Sequence, residues 1–330
     1  MTFDVSVIVP TFNRAPLIGE TIDSILAQSV APAEVIVVDD GSTDDTAAAL
    51  ARFGPRVRYH RIENSGPSAA RNAGVAIATG AWIAFCDSDD LWRPNKLERQ
   101  LRLHALCPTV EYSLTDFDEV VSGEWRRWSV FATVPPSLLQ QHRRVVAETI
   151  WIYEASLYRS YLLGLPIWPS TLLMSKRRFE TLGGFDERFS KGLSEDLDFH
   201  LRNVGVPPIG ILAEPVVGIR KHPENRSADL VRNLLDQLKI LEYAVATHAA
   251  ARPCMDVLMD EIQNRRARAA GRAFASGRLD IVRDLAPSIE RRHRDWKATI
   301  KFAVASLPMP LARPLQQALV TANEHLVKLF

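Results

Sequence analysis

Over its first ninety residues the chain alternates short apolar, β-branched runs with longer stretches in which apolar positions recur every three or four residues. This is the patterning of strands and helices in a βαβ sheet, and it predicts an α/β fold. Residues 5–9 read as a fully buried strand. Residues 16–28 read as a helix, with Leu17, Ile18, Ile22, Ile25 and Leu26 on one face and Pro16 in its first turn. A second strand is expected at 34–38. Ser42 to Asp45 then offer side-chain oxygens for a helix start that continues over 47–53, and a third strand is expected at 57–61. Gly66-Pro67-Ser68 opens an alanine-rich helix ending near Gly80, and a fourth strand at 82–86 runs directly into Asp87-Ser88-Asp89-Asp90. The acidic residues thus stand at a strand's carboxyl end, the edge at which open α/β sheets bind ligands.

Beyond this point the pattern is less regular. A helix is expected from Pro94 to about residue 105, whereas 110–140 is mixed and aromatic with no assignable period. After Trp168-Pro169-Ser170 come an apolar run at 171–174, a helix at 176–182, and a turn at Gly183-Gly184-Phe185-Asp186. Ser194-Glu195-Asp196 opens a short helix that ends near Gly205. From about residue 227 the signal is nearly continuous helix rich in Leu, Ala and Arg, broken by prolines. The expected division is a catalytic domain over 1–226 and a helical region over 227–330, which suits a chain of 330 residues.

Composition narrows the chemistry. With 47% hydrophobic residues, 24% charged residues and a formal net charge of +1, the chain is an ordinary globular protein and no nucleic-acid partner is expected. Its three cysteines are far apart and outside any metal-ligand spacing, so a reduced compartment is expected. The first ten residues carry no basic segment and run straight into a strand, which predicts a cytoplasmic protein without a secretory signal. No window approaches the roughly 18 consecutive apolar residues that would span a bilayer.

Four acidic sites follow apolar runs or glycine turns: Asp39-Asp40, Asp87 to Asp90, Asp186 and Glu195-Asp196. Each alone reads equally as a solvated turn or a helix cap. Mg²⁺ and Mn²⁺ are commonly held by one or two carboxylates together with substrate phosphates, and an Asp-x-Asp on a strand-end turn meets that need. Residues 64–72 add a glycine, a helix N-terminus and Arg71 one turn in, a combination suited to phosphate.

Taken in order, Val7-Ile8-Val9-Pro10-Thr11-Phe12-Asn13-Arg14, Val37-Val38-Asp39-Asp40-Gly41-Ser42, Gly66 with Ala70-Arg71-Asn72, Phe85-Cys86-Asp87-Ser88-Asp89-Asp90, Leu182-Gly183-Gly184-Phe185-Asp186 and Glu195-Asp196 resemble a family 2 glycosyltransferase. This is the GT-A, inverting, bacterial type, and the resemblance covers roughly residues 4–225. It implies a metal-dependent transferase that moves a sugar from a nucleotide diphosphate-sugar to a glycan or lipid-linked acceptor, in cell-surface polysaccharide or glycolipid synthesis. It further implies that Pro10, Thr11, Asn13, Arg14, Asp39, Arg71 and Asp87 bind the donor and that Asp89 holds Mn²⁺ or Mg²⁺. Asp196 would be the base, and Trp168, Ser170 and Glu195 would border the acceptor. His222 occupies a place where an imidazole completes the metal shell or touches the diphosphate, although the Pro that follows it and the basic residues around it favour phosphate contact. Two other readings stay open. A sugar nucleotidyltransferase would need a glycine-rich first loop, which Pro10 to Arg14 is not, and a non-catalytic nucleotide-sugar or glycan binding protein would need neither Asp89 nor Asp196.

Residues 291–301 hold five Lys or Arg against one Asp, with Trp296 and Ile300 four apart. Such a stretch suits either peripheral contact with the inner face of an anionic membrane or a solvated helix packed on the domain. The helical period of Leu311, Leu315, Leu319 and Leu326 suits intramolecular packing or a homodimer interface.

Overall fold

The computed structural model describes residues 3–126, 129–222 and 229–327. Its first half is a parallel sheet of Val5–Thr11 (β1), Glu34–Asp39 (β2), Arg58–Arg61 (β3) and Trp82–Phe85 (β4), in the order β3-β2-β1-β4. Parallel strands covered on both faces read as unbroken apolar runs, and β1 is buried at every position. Helices Ala15–Leu26 (α1) and Thr46–Ala51 (α2) lie on one face, where Ile18, Ile22 and Ile25 meet Val7, Val9 and Val37. Pro67–Ile77 (α3) lies on the other, with Ala70 and Val75 against Ile8, Val38 and Phe85. A Cβ on Gly74 would stand 2.4 Å from Cγ2 of Ile8, so only glycine lets α3 approach the sheet this closely.

The sheet then changes direction. Leu91–Trp92 (β5) and Lys96–Leu106 (α4) precede Tyr112–Val121 (β6), which forms a hairpin with Glu124–Arg126 (β7). Pro136–Leu139 (α5), Arg143–Ala147 (β8), Ile150–Tyr153 (β9) and Tyr158–Leu162 (α6) follow, and then Leu173–Ser175 (β10), Lys176–Thr181 (α7), Asp196–Val204 (α8) and Ile209–Lys221 (β11). Strand β10 pairs antiparallel with both β4 and β6, and β11 runs parallel to β6 and antiparallel to β9 and β5. The full order is β3-β2-β1-β4-β10-β6-β11-β9-β8.

The strands that the periodicity did not mark have identifiable disguises. In β6 the buried positions include Ser113, Thr115, Asp116 and Asp118, so the apolar run is broken. Ser113 is satisfied internally, with its Oγ 2.8 Å from Nε2 of His104 and 3.0 Å from Nε2 of Gln100. In β11, Pro215 sits at a register shift between Leu212 and Val217, which interrupts the strand signal where the ladder is irregular.

Two compact units divide the chain, Met1–Asn225 with His248–Pro253, and Arg226–Thr247 with Cys254–Phe330. Within the first unit His248 is buried, its Nε2 3.1 Å from Asp198 and its Nδ1 3.0 Å from the hydroxyl of Tyr158. The second unit consists of Leu230–Thr247 (α9), Met255–Ala275 (α10), Leu279–Leu285 (α11), Trp296–Ser306 (α12) and Met309–Val327 (α13), around a core that includes Val231, Phe274, Leu279, Val282 and Val304. Arg283 closes the end of α12 by donating to the carbonyls of Ala305 and Leu307. All three cysteines are buried, and no disulfide joins any two of them. No helix among the described residues is long and apolar enough to cross a membrane.

Candidate active site

At the end of β4 the acidic segment folds into a tight turn, closed by a 3.0 Å hydrogen bond from the Asp90 amide to the Asp87 carbonyl. The residue that sets this turn comes from far along the chain. The hydroxyl of Ser170 accepts from the Asp87 amide at 2.9 Å and donates to the Asp90 carboxylate. Asp90 also accepts from the Arg220 amide at 3.2 Å and is buried, and burial followed by repulsion from Asp89 and Asp87 pushes its carboxyl well above the usual range. Arg220 donates to the Asp89 carbonyl, to Thr21 Oγ1 at 2.7 Å and to Glu20 at 2.6 Å, fastening the turn to α1. With Asp90 turned inward, Asp87 and Asp89 are the carboxylates that face out, with side chains 25% and 20% exposed.

Two expected residues converge on Asp89. His222 Nε2 lies 3.0 Å and Arg14 Nε 3.4 Å from the same oxygen, Oδ2. An oxygen and an imidazole nitrogen on a partly open face fit a divalent cation whose remaining positions are filled by phosphate or water. Among the described residues no group of three or more His, Cys, Asp or Glu gathers into a complete cage.

Asp87 belongs to a second cluster. Arg71, buried on α3, donates from one terminal nitrogen to Asp87 at 2.7 Å and from the other to Glu195 at 3.0 Å, while its guanidinium lies 5.1 Å from the centre of the Phe185 ring. Burial works against the charge, but the two carboxylates hold it more firmly protonated than an ordinary arginine. The approach of α3 to this point depends on Gly66, whose φ is +89° and whose absent Cβ would stand 2.4 Å from the Ser190 carbonyl. Asp40 fixes the same turn by accepting from the amides of Ser65 at 2.7 Å and Gly66 at 2.9 Å.

Glu195 precedes α8, and Asp196 is that helix's first residue, its side chain 27% exposed. Nε2 of the buried His200, one turn on, is 3.4 Å from Asp196 Oδ2. Burial raises the Asp196 pKa, but His200 and then Arg71 outweigh it and hold the carboxyl below the ordinary aspartate range. A group depressed in this way stays ionised until the medium is more acid than pH about 4. Its contribution to stability is present above that range and is lost as pH falls through its folded value. If Asp196 is the base, the acid limb of kcat lies below pH about 4. Replacing His200 with Phe should move that limb to higher pH, with Arg71 and Asp87 as the remaining charges beside it. An unchanged limb would remove His200 from the account.

The other expected donor contacts are placed as follows. Pro10 and Thr11 end β1 against Val38 and Asp39, and Thr11 is 3% exposed. Asn13, at φ +51°, accepts from the Thr43 amide at 2.8 Å, so its side chain ties together two loops at the sheet edge. Asp39 is fully buried. It accepts from the Ser42 amide at 2.7 Å and from the hydroxyl of Tyr59 at 2.5 Å, with Arg61 3.5 Å away. Trp168 is half-buried, its ring centre 4.8 Å from that of Phe117. Ser170 is fully buried and supports the acidic turn from within. Arg220, His200 and Tyr59 carry this architecture without having been expected to, and Asp40, expected only as part of an acidic pair, fixes the turn before α3. For His200 the signal was present, four residues after Asp196 on a short helix; for the others no local signal distinguishes them.

A parallel sheet edge thus carries an Asp-x-Asp turn, a neighbouring imidazole and a separate carboxylate on a helix start, at the edge where open α/β sheets bind ligands. The model of the glycosyl transferase family 2 matches residues 6–162. The succinoglycan biosynthesis protein ExoO of Rhizobium meliloti is 32% identical over 329 residues, covering 95% of this chain and 86% of that protein. The chain belongs to glycosyl transferase family 2. It spans only 17% of the length of two uncharacterized Rickettsia glycosyltransferases to which it is similar over 100 residues. Among solved structures, S. aureus TarS 1-349 in complex with UDP-GlcNAc superposes with a TM-score of 0.63 at 20% identity, covering 88% of this chain and 82% of that one. The mannosyltransferase PcManGT of Pyrobaculum calidifontis, in complex with GDP-Man and Mn²⁺, gives a TM-score of 0.56 at 21% identity, covering 92% and 86%. At these identities the two structures establish a shared fold.

Proposed function

We propose that the chain transfers a sugar from a nucleotide diphosphate-sugar to an acceptor hydroxyl with inversion, in the assembly of a cell-surface polysaccharide or glycolipid. The observation that carries the reading is Arg71. One buried guanidinium joins the acidic turn at Asp87 to the Glu195-Asp196 turn, so a donor-facing group and a candidate base are held in one rigid unit. The succinoglycan relative supports the polysaccharide setting, and the UDP-GlcNAc and GDP-Man complexes of proteins sharing the fold support the donor class.

In this reading residues 1–226 perform the chemistry and 227–330 are an appended helical region, in a protein working in the cytoplasm. Pro10, Thr11, Asn13, Arg14 and Asp39 shape the nucleotide side, with Asn13 and Asp39 acting by fixing loop form. Arg71 and Asp87 orient the donor. Asp89 and His222 hold Mn²⁺ or Mg²⁺, which when bound supplies Lewis-acid neutralisation of the leaving diphosphate. Asp196 takes the proton from the acceptor oxygen as it attacks the anomeric carbon, and its ionised state at neutral pH suits it to that work. Trp168 and Glu195 border the acceptor, while Ser170 serves it by holding the turn.

The test is release of nucleoside diphosphate from a panel of nucleotide sugars, with Mn²⁺ and with glycan or lipid-linked acceptors present. Release that depends on both donor and acceptor is the expected result. If no donor turns over, or if one is hydrolysed equally without acceptor, transfer is not the activity.

A further inference from the structure

The two last helices bury one set of apolar residues and leave a second set in solvent. On α12 the buried residues are Val304 and Ala305, whereas Trp296 is 70% exposed and Ile300 41% exposed. On α13 the inward positions are Ala312 and Gln316, whose side-chain amide donates to the Phe274 carbonyl at 2.8 Å, while Leu311 is 59% and Leu315 46% exposed. Phe302, Leu307, Met309 and Val320 pack against the core of the unit, yet Trp296, Ile300, Leu311 and Leu315 are left exposed on the same two helices. The exposed residues are not scattered. Trp296 and Ile300 are four apart, and Leu311, Leu315 and Leu319 continue at intervals of four, so each helix carries an apolar stripe along one side.

Charge selects the occupant. Residues 291–313 hold six Lys or Arg against a single Asp, in a chain whose net charge is +1. That one acid, Asp295, is already used, since its carboxylate caps α12 by accepting from the Ala298 amide. Arg291 and Lys297 are exposed, and Lys297 Nζ lies 5.7 Å from the centre of the Trp296 ring. A second copy of the same surface would set basic residue against basic residue, which disfavours self-association. An anionic bilayer supplies both parts of the complement, acyl chains for the stripes and headgroup charge for the arginines and lysines. Tryptophan, with an apolar body and one N–H donor, suits the boundary between them.

We propose that the exposed face of α12 and α13, centred on Trp296, Ile300, Leu311 and Leu315 and bordered by Arg291 and Lys297, docks the protein on anionic lipid. Binding is peripheral and independent of the catalytic chemistry, because none of these residues belongs to the candidate site.

The test is flotation of the full chain with vesicles of phosphatidylcholine alone or phosphatidylcholine mixed with phosphatidylglycerol. The expected result is binding to the mixed vesicles only, weakened by salt, and reduced about fivefold for each charge removed in Arg291→Gln and Lys297→Gln. Trp296→Ser with Leu315→Ser should abolish flotation, while donor turnover on a water-soluble acceptor and the thermal midpoint stay unchanged. Equal binding to neutral vesicles, or none to either, would overturn the proposal. So would sedimentation showing a dimer that Leu315→Ser converts to monomer, since the face would then be covered by a second copy. Loss of turnover in every variant including wild type would count against the transferase reading and leave the lipid result standing.

Discussion

Replacing Asp196 with Asn should lower kcat by about a hundredfold to ten-thousandfold, the usual worth of general base catalysis, with donor affinity and thermal midpoint close to wild type. The expectation follows from where the residue stands. Its side chain is about a quarter exposed at the start of α8, it makes no buried double ion pair, and its amide replacement has nearly the same volume. The carboxylate is held ionised by His200 and Arg71, so what is lost is proton acceptance and the modest charge stabilisation of a group about a quarter exposed to solvent. Initial-rate measurements over a range of donor concentration separate the two effects. A loss confined to KM would make Asp196 a binding residue.

Arg71→Met should have the opposite profile, with a large loss of stability. Asp87 and Glu195 both point at the buried guanidinium, and removing it leaves two carboxylates facing each other in a place with little water. Breaking a buried pair from one side costs about 3–5 kcal/mol, a large share of the roughly 5–15 kcal/mol that holds a typical domain folded. Arg71→Lys should recover only part of this, because a single ammonium cannot supply the two-sided fork that spans Asp87 and Glu195. Urea unfolding measures the difference. The combined variant Arg71→Met, Asp87→Asn, Glu195→Gln should regain most of the lost stability while remaining inactive. If Arg71→Met alone unfolds at the wild-type midpoint, the cluster is not a structural junction.

The sequence made the first half of the sheet legible because the buried centres of β1, β2 and β4, at 7–9, 35–38 and 83–85, are unbroken apolar runs. Helix α1 was equally visible through Ile18, Ile22 and Ile25. Strand β6 was hidden because Ser113, Thr115, Asp116 and Asp118 break its apolar run, and the buried Ser113 is satisfied by Gln100 and His104, which no local pattern announces. Pro215 concealed β11 in a similar way, by breaking the strand signal at a bulge.

At the candidate site, the acidic turns, Arg71 and the Asp89-His222 juxtaposition could be anticipated from motif order. The inward turn of Asp90 could not. Ser170, 80 residues from Asp90, and Arg220, 130 residues away, turn Asp90 inward and leave the other two facing out. Long-range contacts likewise give Asn13 and Asp39 their loop-fixing bonds to Thr43 and Tyr59, duties that a motif match does not carry.

The central claim is that Asp89 helps to hold a nucleotide diphosphate through a divalent cation, and thermal stabilisation measures it most directly. Wild-type protein and Asp89→Ala are titrated with UDP, GDP and ADP, each with Mn²⁺ and with chelator. At a hundredfold excess over Kd a ligand that binds only the folded state adds about 3 kcal/mol, enough to shift the transition visibly. The account predicts that one nucleotide raises the wild-type midpoint with Mn²⁺, fails to do so with chelator, and has no effect on Asp89→Ala. A nucleotide shift of equal size in chelator and in Asp89→Ala would contradict it.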